Sequence, residues 1–223
     1  MLNLFFPQRC PMCGQVVADG TIICRNCIRT LPRTEQVIMR GNSTEMLFDD
    51  IKNFRQGAAF LFFDKDSPVQ NALHQMKYSR FANPQIGYVL AKEAAYDFLQ
   101  SDFFDGIDII LPVPLHPKRL RERGFNQSEW IGRALSEATG IPMETELLIR
   151  QKDNAHQARL YRTDRNKNVK GIFAIKYPEY LYRKHILLVD DIITTGATLR
   201  ACIEALKPAR GHKVSVFGLG KVR

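Results

Sequence analysis

The sequence predicts an α/β chain, a parallel sheet flanked by helices with a small N-terminal four-cysteine zinc ribbon. Three observations predict it. Strand-like runs alternate with helix-like runs through most of the chain, the pattern of strands joined by crossover helices. Ile186-Leu187-Leu188-Val189 is apolar at four successive positions, so both faces of that strand are covered, as inside a parallel sheet. Near the start, Cys10-Pro11-Met12-Cys13 and Cys24-Arg25-Asn26-Cys27 form two Cys-x-x-Cys pairs separated by ten residues. With 223 residues the chain can bury one substantial core and carry an appendage, which sets the expected division at 1–40 for the ribbon and 41–223 for the α/β domain.

Each Cys-x-x-Cys turns tightly enough for two sulfurs to share a metal, and Gly14 follows the first pair. Two disulfides are the competing arrangement. A reducing compartment favours four thiolates, from Cys10, Cys13, Cys24 and Cys27, on one structural Zn²⁺ with no position open to water. The fifth cysteine, Cys202, shares a helix face with Leu199, Ile203 and Leu206 and reads as core.

Beyond the ribbon, a helix is expected around 44–54 and a strand near 58–63. Ser67 then caps a helix that starts at Pro68 and runs to Lys77 or Tyr78. A longer amphipathic helix covers about 84–100, a strand 107–111, a helix about 127–138 and a strand 172–175. The strand around Leu187 and its following helix come next, and 213–219 closes the sheet.

A formal charge of +9 points to a polyanionic partner: nucleic acid, an acidic membrane surface or phosphorylated small molecules. No run approaches the ~20 apolar residues of a bilayer span. The start Met-Leu-Asn-Leu-Phe-Phe-Pro lacks the basic segment and long apolar stretch of a signal peptide, so a cytoplasmic chain with no integral membrane segment is expected.

The densest chemistry lies in Asp190-Asp191-Ile192-Ile193-Thr194-Thr195-Gly196-Ala197-Thr198. The carboxylates are expected at the carboxyl end of their strand, where ligands bind in open α/β sheets. Two adjacent acceptors match the two donors of a vicinal diol, such as that of a ribose. Thr194, Thr195, Gly196, Ala197 and Thr198 offer hydroxyls and backbone N–H groups at a helix amino terminus, suited to a phosphate. A capped turn with no ligand is the plain alternative. The stretch closely resembles the 5-phosphoribosyl-1-pyrophosphate (PRPP) motif of type I phosphoribosyltransferases and departs from it at no position. That resemblance implies a type I phosphoribosyltransferase-like sheet and PRPP bound with Mg²⁺. It makes Asp190 and Asp191 the catalytic candidates of a possible Mg-dependent phosphoribosyltransferase.

Two basic stretches accompany it. After the strand ending in Pro112-Val113-Pro114-Leu115, the loop His116 to Gln127 packs Lys118, Arg119, Arg121 and Arg123 into six residues. A second loop, Arg150 to Lys170, holds seven Lys or Arg against two Asp, among them Arg159, Arg162, Arg165 and Lys167. Solvated surface charge is the default for such runs. With their interleaved amides and aromatics they also suit a phosphorylated ligand, a nucleic-acid backbone, or both.

Taken together, the cysteine ribbon, Leu73 to Tyr78, Pro112 to Leu115, Arg121 to Gln127, Gln157 to Leu160 and the PRPP motif resemble the ComF family of competence proteins over almost the whole chain. This implies a role in natural transformation, on or near incoming single-stranded DNA beside a helicase-like partner. A related branch is linked instead to nutrient metabolism. Carried over by position, Asp190 and Asp191 hold the ribose diol and Thr194 to Thr198 the 5-phosphate. The loop with Leu115, Lys118 and Arg119 faces the pyrophosphate. Arg121, Arg123, Arg159, Arg162, Arg165 and Lys167 are the nucleic-acid candidates.

Overall fold

The computed structural model describes residues 8–78, 82–151 and 171–222. These form strands β1 (Phe54–Phe63), β2 (Ile109–Pro112), β3 (Leu148–Arg150), β4 (Phe173–Ile175), β5 (His185–Ile193) and β6 (Lys213–Val222). The helices are α1 (Arg25–Arg29), α2 (Pro68–Tyr78), α3 (Gln85–Phe98), α4 (Pro117–Arg123), α5 (Gln127–Thr139) and α6 (Ala197–Ala205). The central sheet runs in the order β1-β6-β5-β2 with every pairing parallel, while β3 and β4 make a separate antiparallel pair.

Neighbouring β5 residues feed opposite layers, as the period of a strand requires. Leu187 and Val189 join one apolar cluster with residues of α2, α3 and α5; Ile186 and Leu188 join another with α6, Phe48 and Leu181. Both faces are therefore covered, which explains the unbroken apolar run of this strand. Cys202 is buried in the second cluster, as its helical spacing predicts.

Several expectations change. The helix expected over 44–54 is a single 3-10 turn, Glu45–Leu47. Asn42 intercepts it: its Oδ1 accepts from the backbone N–H groups of Thr44 and Glu45, the side-chain capture that favours turns over helices. The strand around 172–175 is β4, outside the parallel sheet and paired with β3. The last strand, expected to close the sheet, lies inside it between β1 and β5. The basic loop after Leu115 contains a helix, α4. Its N-cap is His116, whose Nδ1 accepts from the Lys118 N–H, Pro117 occupies the first turn, and Gly124 ends it at φ 82.

The ribbon is built onto β1. Thr34 N–H donates to Phe60 O and Phe62 N–H to Pro32 O, both at 2.9 Å, so the chain leaving the ribbon covers the outer edge of β1. Cys10, Met12, Ile23, Cys27 and Leu31 pack in the same apolar cluster as Phe60 and Phe98. Among the described residues no helix is long and apolar enough to cross a membrane.

Candidate functional site

Asp190 and Asp191 lie within β5 and not at its last residue, because the two neighbours of this strand end at different points. On the β6 side, pairing continues through Asp190 opposite Gly218 to Ile193 opposite Lys221. On the β2 side it stops early, with the Val113 N–H on Val189 O at 2.9 Å. Beyond Val189 the β2 ladder has ended, and the first turn of α5 approaches Asp190 there. Asn126 caps α5 by accepting from the Ser128 N–H, and its Nδ2 donates to Val113 O, fastening the helix start to the end of β2. Ser128 Oγ then reaches Asp190 Oδ1 at 3.4 Å.

The two carboxylates are held differently. Asp191 is buried, and its Oδ2 lies 2.7 Å from Lys77 Nζ, at the end of α2. The approach is off the axis of a well-directed hydrogen bond, so this oxygen is paired by charge alone. Asp190 is half-buried, and its Oδ1 accepts from the Asp191 backbone N–H at 2.8 Å. Burial and the adjoining Asp191 carboxylate push the Asp190 carboxyl up to about 7, against the opposing pull of that N–H, Lys77 and Ser128.

Four residues beyond Asp190 the chain enters the loop. Thr194, Thr195, Ala197 and Thr198 are exposed, whereas Gly196 is buried at φ 71 immediately before α6. A side chain at Gly196 would meet the ring of buried Phe48 at 3.0 Å. The loop is thus seated on an aromatic floor, and the first N–H groups of α6 have no partner within the helix. Arg200 stacks over the same ring at 5.7 Å and is held by Asp50 through bonds of 2.6 and 3.1 Å.

Helix geometry divides the predicted cations. Arg119, Glu122 and Arg123 share one side of α4 and line a cavity of about 350 Å³ with Lys77 and Tyr78. Arg123 also stacks over Tyr78 at 5.2 Å and bonds Gln127 Oε1. Lys118 and Arg121 are exposed and outside that lining, and Leu115 is half-buried. So Arg119 and Arg123, predicted for different ligands, meet at one cavity, while Lys118 is separated from Arg119 by the twist between adjacent helical residues. Arg159, Arg162, Arg165 and Lys167 lie outside the described residues. Neither Lys77 nor Ser128 carries a local sequence signal for this site. Lys77 stands in a last helical turn, where a cation is ordinary, and only the fold brings it to Asp191.

At the other end of the chain, the sulfurs of Cys10, Cys13, Cys24 and Cys27 lie within 4.8 Å of one another. Cys13 Sγ and Cys24 Sγ are 3.7 Å apart, far beyond a disulfide at about 2.0 Å and near the roughly 3.8 Å edge of a tetrahedron of Zn–S bonds. Cys24 Sγ accepts from the Cys27 N–H at 3.4 Å, and Gln75 Nε2 holds Pro11 O at 3.1 Å, tying the first knuckle to α2. The set fits a closed structural Zn²⁺ site.

Two family models match this chain. Residues 1–38 match the double zinc ribbon domain and residues 119–217 the phosphoribosyl transferase domain. The chain thus combines a phosphoribosyltransferase-like fold with an amino-terminal zinc ribbon, whose matched segment holds one set of four cysteines. It is 28% identical to competence protein F of Haemophilus influenzae, over 97% of this chain and 85% of that one. It is 26% identical to DNA utilization protein YhgH of Salmonella typhimurium, over 94% and 82%. To competence protein ComFC of Bacillus subtilis it is 27% identical, over 94% and 76%. The chain is a homologue of these ComF-type competence and DNA utilization proteins over most of its length.

Proposed function

We propose that this chain is a ComF-like protein of natural transformation that binds PRPP with Mg²⁺, and single-stranded DNA, in the cytoplasm beside a helicase-like partner. The observation that carries the reading is the pair Asp190 and Asp191, set where the β2 ladder ends and followed by the exposed Thr194–Thr198 loop. Two acceptors side by side suit the 2- and 3-hydroxyls of a ribose. The hydroxyls of Thr194, Thr195 and Thr198 and the N–H groups around Gly196 and Ala197 suit its 5-phosphate. Lys118 and Arg119, after Leu115, are proposed for the pyrophosphate, with Lys77 and Arg123 beside the same cavity. Mg²⁺ is held in this reading mainly by ligand oxygens, with the acids in an outer position, and offsets charge on the pyrophosphate. Arg121, Arg123, Arg159, Arg162, Arg165 and Lys167 are proposed for the DNA backbone. We place the division between ribbon and transferase-like domain at residue 40.

The names of the relatives, competence and DNA utilization, support the DNA half. Calorimetric titration with Mg²⁺ and PRPP tests the ligand half: saturable binding by the wild type, weakened tenfold or more but still measurable in Asp190→Asn, is expected. Wild type that takes up no PRPP refutes it. A second reading, phosphoribosyl transfer to an acceptor in nucleotide or nutrient metabolism without a DNA role, is favoured by the same unbroken loop. It requires the acceptor to form a bond to C1 of the ribose as the C1–O bond to pyrophosphate breaks. Pyrophosphate release with a candidate acceptor, abolished by Asp190→Ala, distinguishes it.

A further inference from the structure

The opposite end of the sheet carries a second concentration of unusual chemistry. Between β4 and β5, the 3-10 turn Pro178–Leu181 is flanked by Tyr177 at φ 52 and Arg183 at φ 55. Residues with a side chain adopt this left-handed conformation only at a cost, on the order of 1 kcal/mol each. Leu181 is fully buried and pins the turn to the core. The strained turn leaves Tyr177, Tyr180 and Tyr182 at 60%, 67% and 54% exposure, so it serves no packing need of these rings. Tyr177 and Tyr180 meet edge to face at 6.2 Å, and the Arg183 guanidinium lies 5.3 Å from the Tyr182 ring centre.

Arg183 connects these rings to a groove. Its N–H donates to Arg210 O at 3.1 Å, and its Cγ would lie 3.1 Å from a side chain at Gly211. Arg210, Gly211 and His212 line a cavity of about 640 Å³ together with Lys52 and Asn53. Within that cavity Arg200 is held by Asp50, and Lys207 by Glu204 at 2.6 Å. Lys52 and Arg210 have no acidic partner among the described residues. Displayed rings beside uncompensated cations form the surface on which unpaired bases stack while their phosphates are neutralised.

We infer that the amino end of the sheet is a single-strand nucleic-acid track, with Tyr177, Tyr180 and Tyr182 as the stacking platform and Lys52, Arg183 and Arg210 along the phosphates. The inference rests on the proposal that the chain handles single strands, but it locates them on residues outside both basic stretches considered for that role. It also sets them far from the acid pair. The tyrosine turn precedes His185, which lies five residues of β5, about 17 Å at the rise of a strand, before Asp190, so PRPP and the stacked bases can occupy the protein together.

The test is fluorescence anisotropy of the full chain with a labelled oligo-dT of about 20 nucleotides at low salt, with the matching duplex as comparison. Wild type is expected to prefer the single strand. Tyr180→Ala with Tyr182→Ala weakens that binding by about tenfold or more per ring, leaving the melting temperature and PRPP binding unchanged. Lys52→Gln with Arg210→Gln lowers the log–log salt slope by about 1.4, two phosphates' worth. Saturating PRPP leaves oligo-dT affinity unaltered. A wild type that binds no oligo-dT sinks both this inference and the DNA half of the proposed function. Wild-type binding that survives the tyrosine pair but falls in Arg121→Gln with Arg123→Gln overturns the track alone. So does an intact affinity accompanied by a changed oligomeric state in light scattering, which assigns the tyrosines to a protein contact.

Discussion

Lys77 and Asp191 are an ion pair of 2.7 Å sealed between α2 and β5, with side-chain exposures of 12% and 8%. It is the main compensation for placing two carboxylates side by side in a poorly solvated position, since Asp190 is served instead by Ser128 and a backbone N–H. Removing one member of a buried pair leaves an uncompensated charge, which costs about 3 kcal/mol. Lys77→Met is therefore expected to lower the melting temperature by roughly 5–10 °C. Lys77→Met combined with Asp191→Asn should recover most of that loss. Thermal melts of the two single variants and the double variant check the coupling, and simply additive losses would contradict it.

Asp190 should tie the proposed PRPP binding to pH. Its carboxyl titrates at about 7 in the folded chain against an ordinary value near 3.9, chiefly through burial and the Asp191 charge. Between these values the native state keeps a proton that the unfolded chain has released. The contribution of this group to stability therefore falls as pH rises from about 4 to 7, and stays lost above that. Asp190→Asn should stabilise the ligand-free protein at pH 8, by on the order of 2 kcal/mol once partial solvent screening is allowed for, and change little at pH 4. Ribose hydroxyls need the ionised carboxylate as acceptor. PRPP affinity should accordingly rise by up to about tenfold per unit from pH 6 to 7 and then level off. Titrations across this range in wild type and Asp190→Asn separate the effect from titration of the ligand itself; a wild-type profile parallel to the variant's would rule it out.

Gly196 is where the proposed phosphate loop depends on backbone geometry. Its φ of 71 and its 3.0 Å clearance from Phe48 each oppose a side chain. Gly140 has a similar φ of 75 at the end of α5, with open space around it. Gly196→Ala and Gly140→Ala should both lose about 1–2 kcal/mol of stability, as expected for the left-handed conformation. Only Gly196→Ala should also weaken PRPP binding, by tenfold or more, because the loop must lift off Phe48. Equal ligand affinity in the two variants would remove the loop from the site.

What was legible in the sequence was what local chemistry decides. The doubly covered β5, the cysteine pairs and the start of α2 are local features; Gln70 N–H does bond Ser67 Oγ, at 3.2 Å. The acid pair and threonine loop could be located for the same reason. Helix α4 was not legible, since PKRLRER has a Pro start and a Gly stop but no apolar periodicity. The turn at Glu45–Leu47 rests on a local capture by Asn42 that is itself held in place by a longer-range contact. Asn42 Nδ2 bonds the carbonyls of Gln36, Met39 and Gly57, a buried network that exists only after β1 has docked. Lys77 and Ser128 were invisible as site residues because they reach the acids from separate helices, across 114 and 62 positions of chain.

The zinc ribbon should behave as part of the core, not as a detachable module. Ile23, Cys27 and Leu31 share an apolar cluster with Phe60 and Phe98, and the segment leaving the ribbon pairs with the outer edge of β1. Arg33 Nε adds a 2.6 Å contact to Asp97 on α3. Losing the metal leaves four thiolates that must repel one another or take up protons, and so loosens this whole edge of the sheet. One Zn²⁺ per chain by elemental analysis is expected. Cys27→Ser should reduce that occupancy and lower the melting temperature of the complete chain by several degrees, with increased hydrogen exchange in β1 as well as in the ribbon. Chelation should reproduce the effect and added Zn²⁺ reverse it. A metal-free chain with unchanged β1 protection would show that the ribbon and the sheet fold independently.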